Sequence, residues 1–341
     1  MKCKLIFVVI VFCLAMTARA EITFYESFDG YKEGSKAKDN IVNPDVAPVL
    51  WSDEAYTSIR EVSALKSNVG LEGITEIKNP KISSDSIPRS GSESSVLLFT
   101  YKAGPNSWSE QRFKINPKVL NAQGLKGLQE IWLQYDIFIP SNYKIVDDNP
   151  TGTNYFGAGH KVFTLYADAY SAPNATFILG GVIARKSADG KSAYDGDVYQ
   201  MSTLSTYKDG ERIFTQVGID ERNRVIKWVD AKKDLGTWQR RTIHFKFPSS
   251  ETANDGIIEV WIKRADGSIM KVIDRVSGSF YGFTQNYFNA GYINGFYNGG
   301  FPVETFLAVD NFILSSMSKD IDMTATFATI RPQVPSDLKL Q

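Results

Sequence analysis

The segment GIIEVWIKRADG (256–267) sets Ile258, Val260 and Ile262 against Glu259, Trp261 and Lys263 in strict alternation. Successive side chains of a strand point to opposite faces, so the first set reads as core and the second as an outward face. Strand-like segments of this kind recur in SSVLLFTYKAG (94–104), WSEQRFKI (108–115), EIWLQYDIFIP (130–140), KVFTLYADAY (161–170), ATFILGGVIAR (175–185), RRTIHFKF (240–247) and TFLAVDNFILSS (305–316). β-Branched and aromatic residues fill these stretches, Gly, Asn, Asp and Pro separate them, and no long amphipathic helix pattern interrupts the series. Many short strands with turn signals between them predict an all-β, antiparallel sandwich or jelly roll, a class that runs as one domain at roughly 200 residues or more. The more polar region from 21 to about 90 reads as an N-terminal strand with loops packed on the same sandwich, giving one domain over 21–341.

The first twenty residues, MKCKLIFVVIVFCLAMTARA, place Lys2 and Lys4 ahead of an apolar run from Leu5 to Met16, and Ala18-Arg19-Ala20 offers the small residues a signal peptidase needs. They read as a secretory signal peptide, too short to span a bilayer, so the mature chain is expected to be secreted, extracellular or periplasmic. Cleavage would remove Cys3 and Cys13, the two cysteines of the sequence, leaving no disulfide. A chain of roughly 300 residues buries about three quarters of its unfolded surface, which is core enough without one. Loss of Lys2, Lys4 and Arg19 would turn a balance of 38 basic and 38 acidic residues into 35 against 38. Nothing in that balance draws a nucleic acid, no second apolar run suits a membrane, and a monomer is expected. With two histidines and no cysteine in the mature chain, zinc is not expected. No cofactor is expected, with an all-oxygen calcium site using Asp310 left open.

In WSEQRF, Trp108, Glu110 and Arg112 share one face while Gln111 and Phe113 share the other. A flat ring beside charged groups on one sheet face is what a sugar groove needs, because rings stack on pyranose faces and charges read hydroxyls or carboxylates. The same residues also describe a solvated outer face with a half-buried Trp. Trp261 joins Trp108 as a candidate for sugar contact. The run GYINGFYNGG (291–300) holds three aromatic residues, two asparagines and four glycines without a charge. Alternation sets Tyr292, Asn294 and Phe296 against Ile293, Gly295 and Tyr297, and the glycines keep the backbone low enough for a sugar chain to approach. Tyr292, Asn294 and Tyr297 are therefore binding candidates, with a glycine-kinked strand at a corner as the alternative. His160 would face away from Lys161 on a regular strand; a twist at Gly157–Gly159 would bring it to the same side, and it stands as a further binding candidate. His244 alternates with Ile243 and Phe245 and is expected on an exposed face.

The succession EIWLQYDIFIP, GAGHKVFTLY, GGVIARKSADG with DVYQM, LGTWQRRTIHFKFPSSETANDGIIEVWIKRADG and INGFYNGGFPVETFLAVDNFILSS resembles the jelly-roll polysaccharide lyases of families 14 and 20, the alginate and glucuronan lyases, over roughly residues 90 to 316. The resemblance implies a concanavalin A-like β-sandwich that cleaves uronate polymers by β-elimination in a groove on one sheet. It puts Lys161 in the place of the family's groove lysine, Arg185 in the strand where the family has an arginine, and Tyr199 of DVYQ at its downstream tyrosine. Val162-Phe163-Thr164 stands where the family usually has Leu-Pro-Gly. The stretch YFNAGYINGFY (287–297) is also similar to the signature of family 7 alginate lyases, but Asn289 replaces its lysine and Tyr292 falls one place early.

Elimination across C4–C5 of a uronate needs a group that neutralises the C5 carboxylate, a base for the C5 proton and an acid for the departing O4. Tyrosine or lysine near pKa ~10 is a poor base at neutral pH, so a cation beside a tyrosine is the constellation to seek. Lys161, Tyr199, Arg185 and Arg112 are the catalytic candidates, and an acidic polysaccharide is the expected partner. Two rivals share the fold: a glycoside hydrolase, for which Glu110 and Glu259 would have to pair across strands, and a carbohydrate-binding module, which would keep the aromatics and need no base.

Overall fold

A computed structural model of the chain describes residues 22–26, 28, 34–40, 44–45, 47–55, 57–61, 95–104, 107–143, 159–167, 177–184, 198–208, 211–217, 227–250, 253–273, 286–297, 301 and 303–323. Its strands are β1 (Thr23–Glu26), β2 (Val49–Ala55), β3 (Thr57–Glu61), β4 (Ser95–Tyr101), β5 (Ser107–Ile115), β6 (Glu130–Ile139), β7 (Gly159–Tyr166), β8 (Phe177–Ala184), β9 (Val198–Lys208), β10 (Glu211–Val217), β11 (Lys227–Val229), β12 (Thr237–Lys246), β13 (Ile257–Lys263), β14 (Ile269–Ile273), β15 (Ala290–Tyr297) and β16 (Thr305–Ser315). One short helix, α1 (Pro117–Ala122), follows β5. Pro117 suits its first turn, and the Asn116 side chain caps it by accepting from the Lys118 N–H at 3.0 Å. Among the described residues no helix is long and apolar enough to cross a membrane.

The strands form two antiparallel sheets. The first runs β14-β13-β12-β6-β16-β4-β3, with β1 also on β16; the second runs β10-β9-β8-β7-β15-β5-β2, with β11 also on β9. Neighbours come from distant parts of the chain, and β4 to β5, β6 to β7 and β15 to β16 each switch sheets, the connectivity of a jelly roll. The N-terminal region supplies three strands, β1 on β16, β2 on β5 and β3 on β4.

Alternation explains the layers. Ile131, Leu133, Tyr135, Ile137 and Ile139 of β6 and Ile258, Val260 and Ile262 of β13 all enter the core, as the sequence pattern predicts. Opposite them, Phe113 of β5 and Val162, Phe163 and Leu165 of β7 point in from the second sheet. The sheets lock where Trp51, Phe113 and Phe312 meet, with ring centroids 4.9 Å apart for Trp51–Phe312 and 5.4 Å for Phe113–Phe312. Burying one such ring contributes about 1.5–3 kcal/mol, and edge-to-face contacts add to it. The Tyr135 hydroxyl crosses the gap to the Val162 carbonyl at 3.2 Å, and Thr57 Oγ1 crosses to Gln111 Oε1 at 3.3 Å. The inner faces are thus joined by both packing and hydrogen bonds, which leaves two outer faces for function.

Candidate functional site

On the outer face of the second sheet, β5, β15 and β7 lie side by side. Register places Trp108 opposite Phe296, Glu110 opposite Asn294 and Arg112 opposite Tyr292, and Tyr292 is in turn opposite Thr164. Residues directly opposite share a face, so the outward set of β5 meets that of β15 and β7. The predicted division of β5 holds: Gln111 and Phe113 are buried inward, while Trp108 is 41% exposed and Arg112 half-buried. Arg112 Nε donates to Glu110 Oε1 at 2.6 Å, a charge-assisted bond along one strand that steadies the guanidinium.

Lys161 joins this set because of two irregularities. β7 carries a bulge between Lys161 and Phe163, where it pairs with β8, so Val162 and Phe163 both enter the core while Lys161 and Thr164 stay outside. β15 shifts register against β7 between Ile293 and Tyr297, and Asn294 there adopts a positive φ of 53°. A Cβ on Gly295 would lie 2.9 Å from Tyr292 Cε2 and 3.2 Å from Lys161 Cβ, so the missing side chain is what lets the tyrosine ring and the lysine stem converge. Asn294 is 0% exposed, and neither its Nδ2 nor its Oδ1 has a hydrogen-bond partner. Thr164 Oγ1 is likewise buried without one. Unsatisfied buried polar groups cost about 1–3 kcal/mol each, and each calls for an explanation; others lie elsewhere in the molecule, on tryptophan, glutamine, serine and arginine side chains. Thr164 was not singled out by the sequence; its apolar neighbours hide it, and the bulge that turns it outward leaves no sequence signal.

Several expectations are corrected. His160 does not line the groove: it points inward, fully buried, with Nδ1 2.7 Å from the Tyr143 hydroxyl and Nε2 3.0 Å from the Tyr101 hydroxyl. Tyr101 donates its proton to the Ser109 carbonyl at 3.1 Å, so His160 Nε2 must donate to Tyr101 and Nδ1 must accept from Tyr143. Burial, aided by the nearby Arg241 charge, pushes the His160 pKa down to about 3, and the imidazole is neutral. Burial likewise raises the Tyr101 and Tyr143 hydroxyls, and both face the core with their protons donated inward, which rules both out as bases. Tyr297 also faces inward, its ring 5.7 Å from His160 and 4.9 Å from Phe301, and it belongs to the core.

Trp261 lies on β13 in the first sheet, so it cannot share a groove with Trp108. The same separation removes the pairing of Glu110 with Glu259. Trp261 instead belongs to a stacked set on the outer face of the first sheet: Trp132 lies parallel to His244 at 3.8 Å and to Trp261 at 6.0 Å, with Lys271 Nζ 5.1 Å from the Trp261 ring. His244 is on the outer face as expected but buried, each ring nitrogen 3.0 Å from a carboxylate, Glu259 on one side and Glu130 on the other. Lys271 also donates to Glu259 at 2.9 Å. Burial works to raise the Glu259 carboxyl, but the His244 and Lys271 hydrogen bonds outweigh it and hold it below its usual range.

Tyr199 falls on β9 opposite Ile183 and Lys227, with its side chain outside the described residues, and Arg185 lies outside them altogether. Asp310 accepts from the Asn311 N–H at 2.7 Å and faces Asp136 in register, while Asp136 is gripped by Arg240 at 2.7 and 2.9 Å. Among the described residues no group of three His, Cys, Asp or Glu side chains is placed to hold a metal. A cleft of about 950 Å³ runs between 122–130, 286–287 and 316–318 and contains none of the candidates.

No family model matches the sequence, and no curated protein matches it. Solved structures similar to it include the alginate lyase Aly36B, at 13% identity and a TM-score of 0.44 over 86% of this chain and 96% of that one. A PL-14 alginate lyase from Aplysia kurodai is 13% identical with a TM-score of 0.41, covering 67% of this chain and 87% of that one. Peanut lectin is 8% identical with a TM-score of 0.38, covering 87% and 97%.

Proposed function

We propose that the protein is a secreted polysaccharide lyase that cleaves an acidic, uronate-containing polysaccharide by β-elimination on the outer face of the second sheet. The observation that carries this reading is the meeting of Lys161, Tyr292, Arg112 and the unpartnered amide of Asn294 on three adjacent strands. In this reading Arg112, steadied by Glu110, and the Asn294 amide bind the C5 carboxylate and stabilise the charge that spreads onto it as C5 loses its proton. Lys161 and Tyr292 form the acid–base pair, Lys161 half-buried and Tyr292 1% exposed: the deprotonated member takes the C5 proton, the C4–O4 bond breaks as the C4–C5 double bond forms, and the protonated member supplies a proton to O4. Trp108, the exposed ring beside them, offers a stacking surface for a neighbouring sugar.

Hydrolysis fits less well. A retaining hydrolase needs two carboxylates ~5 Å apart, and among the described side chains of this face Glu110 is the one carboxylate, engaged by Arg112. The exposed Trp108 also suits a binding module without catalysis. The experiment is incubation with a panel of uronate polymers, reading both reducing ends and the ultraviolet absorbance of the unsaturated product. A lyase gives both signals together. Reducing ends without absorbance indicate hydrolysis, and binding without either indicates a module.

A further inference from the structure

Adjacent arginines on β12 meet opposite fates. Arg240 points outward and closes its fork on Asp136. Arg241 points inward, 2% exposed, with its guanidinium carbon 5.4 Å from the centre of the Trp228 ring. Trp228 belongs to β11 in the other sheet, so this cation sits between the two layers. The Tyr135 hydroxyl takes a hydrogen bond from it. Its Nε and Nη1 have no hydrogen-bond partner. The described carboxylates are committed elsewhere: Asp136 to Arg240 and Asn311, Asp234 to Arg264 at 2.9 Å, and Glu110 to Arg112 on the outer face. A guanidinium cannot shed its proton to escape burial, so a charge enclosed in this way needs a counter-charge.

Two further groups mark the place. Trp228 Nε1, a donor with no acceptor capacity, is buried without a partner. Gln239, on the same strand as Arg241, sends its Nε2 to the Trp228 carbonyl at 3.1 Å and leaves its Oε1, an acceptor, buried without a partner.

We infer that a small monovalent inorganic anion, chloride under ordinary conditions, binds in the core against Arg241 Nε and Nη1. A halide suits a site that offers N–H donors inside a packed interior, because it accepts from several directions and brings no proton of its own. A polymer-borne carboxylate has no place there, since Arg241 is enclosed between the sheets. The site is thus a structural anion clamp, distinct from the Lys161 face.

The test uses the intact secreted protein exchanged into sodium gluconate and titrated with sodium chloride or bromide at constant ionic strength. A ligand that binds the folded state alone raises Tm with saturation, and an upward shift of about 3 °C is expected at an excess of ~100 Kd. Arg241→Met should abolish the halide dependence. Crystals soaked in bromide should show an anomalous peak beside Arg241, a readout on the unaltered chain that stands even where the variant does not fold. A water without anomalous signal at that position, equal Tm in gluconate and chloride, or a halide response that survives in Arg241→Met would each overturn the inference.

Discussion

On the outer face of the first sheet His244 is held between Glu130 and Glu259, Lys271 reaches Glu259, and Arg240 grips Asp136. On the outer face of the second, the Asn294 amide and Thr164 Oγ1 have no partner at all. Both faces carry tryptophan, carboxylate and cation, and composition alone would rate them equally as sugar-binding surfaces. The difference lies in which groups stay open: on the first face the ionisable groups pair with one another and the open atoms are Trp132 Nε1, Trp238 Nε1 and Gln134 Oε1, whereas on the second a whole side-chain amide has neither end met. A network whose donors and acceptors already meet one another stabilises the fold, whereas buried polar atoms left open lose stability unless a ligand completes them.

The comparison breaks first at Lys161. Lys161→Ala should cut turnover on the best uronate polymer by about 10²-fold or more, about 3 kcal/mol of transition-state stabilisation, with stability changed by about 0.5 kcal/mol or less. Lys271→Ala on the other face should leave turnover unchanged. Steady-state kinetics on the pair decides it, and an inactive Lys271 variant beside an active Lys161 variant would exchange the roles of the two faces.

Asn294→Gly sharpens the same point. Glycine keeps the positive φ without strain, so the variant isolates the amide, and losing a hydrogen bond to a charged group costs about 1.5–3 kcal/mol, or roughly 10- to 10²-fold in kcat/KM. Asn294→Ala should show that loss and, in chemical denaturation, a further strain of about 1–2 kcal/mol. Full activity in the glycine variant would remove the amide from the reaction.

The opposite outcome is expected at His244. His244→Ala leaves Glu130 and Glu259 without their shared partner and uncovers Trp132, so urea unfolding should register a loss of about 1–3 kcal/mol while kcat stays at the wild-type value.

The smallest effect, taken over a single pH unit, is a slope with pH. His160 is neutral when folded, with a pKa of about 3, and protonates near its ordinary 6.5 when unfolded. Its contribution is complete above about pH 6.5 and is lost as pH falls towards 3, at about 1.4 kcal/mol per pH unit for one proton. Between pH 6 and 5 the Glu259 carboxyl, held low, stays ionised in the folded state, and the slope expected of His160 is read there. His160→Gln should flatten it, and an unchanged slope would place the sensitive group elsewhere.

Face assignment within a strand was legible in the sequence. The alternation of WSEQRF and IIEVWIK separated inward from outward residues correctly, and it also put Tyr297 on the side opposite Tyr292. What alternation cannot supply is which sheet a strand joins, because that depends on pairings between distant segments. Alternation therefore gives the outward direction of Trp261 but not its surface, which is that of the first sheet. Lys161 and Thr164 reach one face only through the bulge at Val162 and Phe163, a shift that reverses every side chain beyond it. One signal is present in the sequence: Asn294-Gly295 is a dipeptide prone to left-handed backbone, and inside a strand it announces a break in register. Asn294 takes that conformation.

The position of β16 governs when the molecule can fold. It is a central strand of the first sheet, bonded to β6 and β4 and touched by β1, yet it follows β1 by about 290 positions, as in the Thr23 pairing with Ser315. Until that segment has been synthesised, β6 and β4 present bare edges to solvent and the sheet has a gap through its middle. Contacts of such sequence separation make assembly slow and favour folding after the chain is released rather than during its synthesis. A nascent chain that cannot close its central sheet keeps those edges unpaired, the condition in which strands of neighbouring chains can pair with one another.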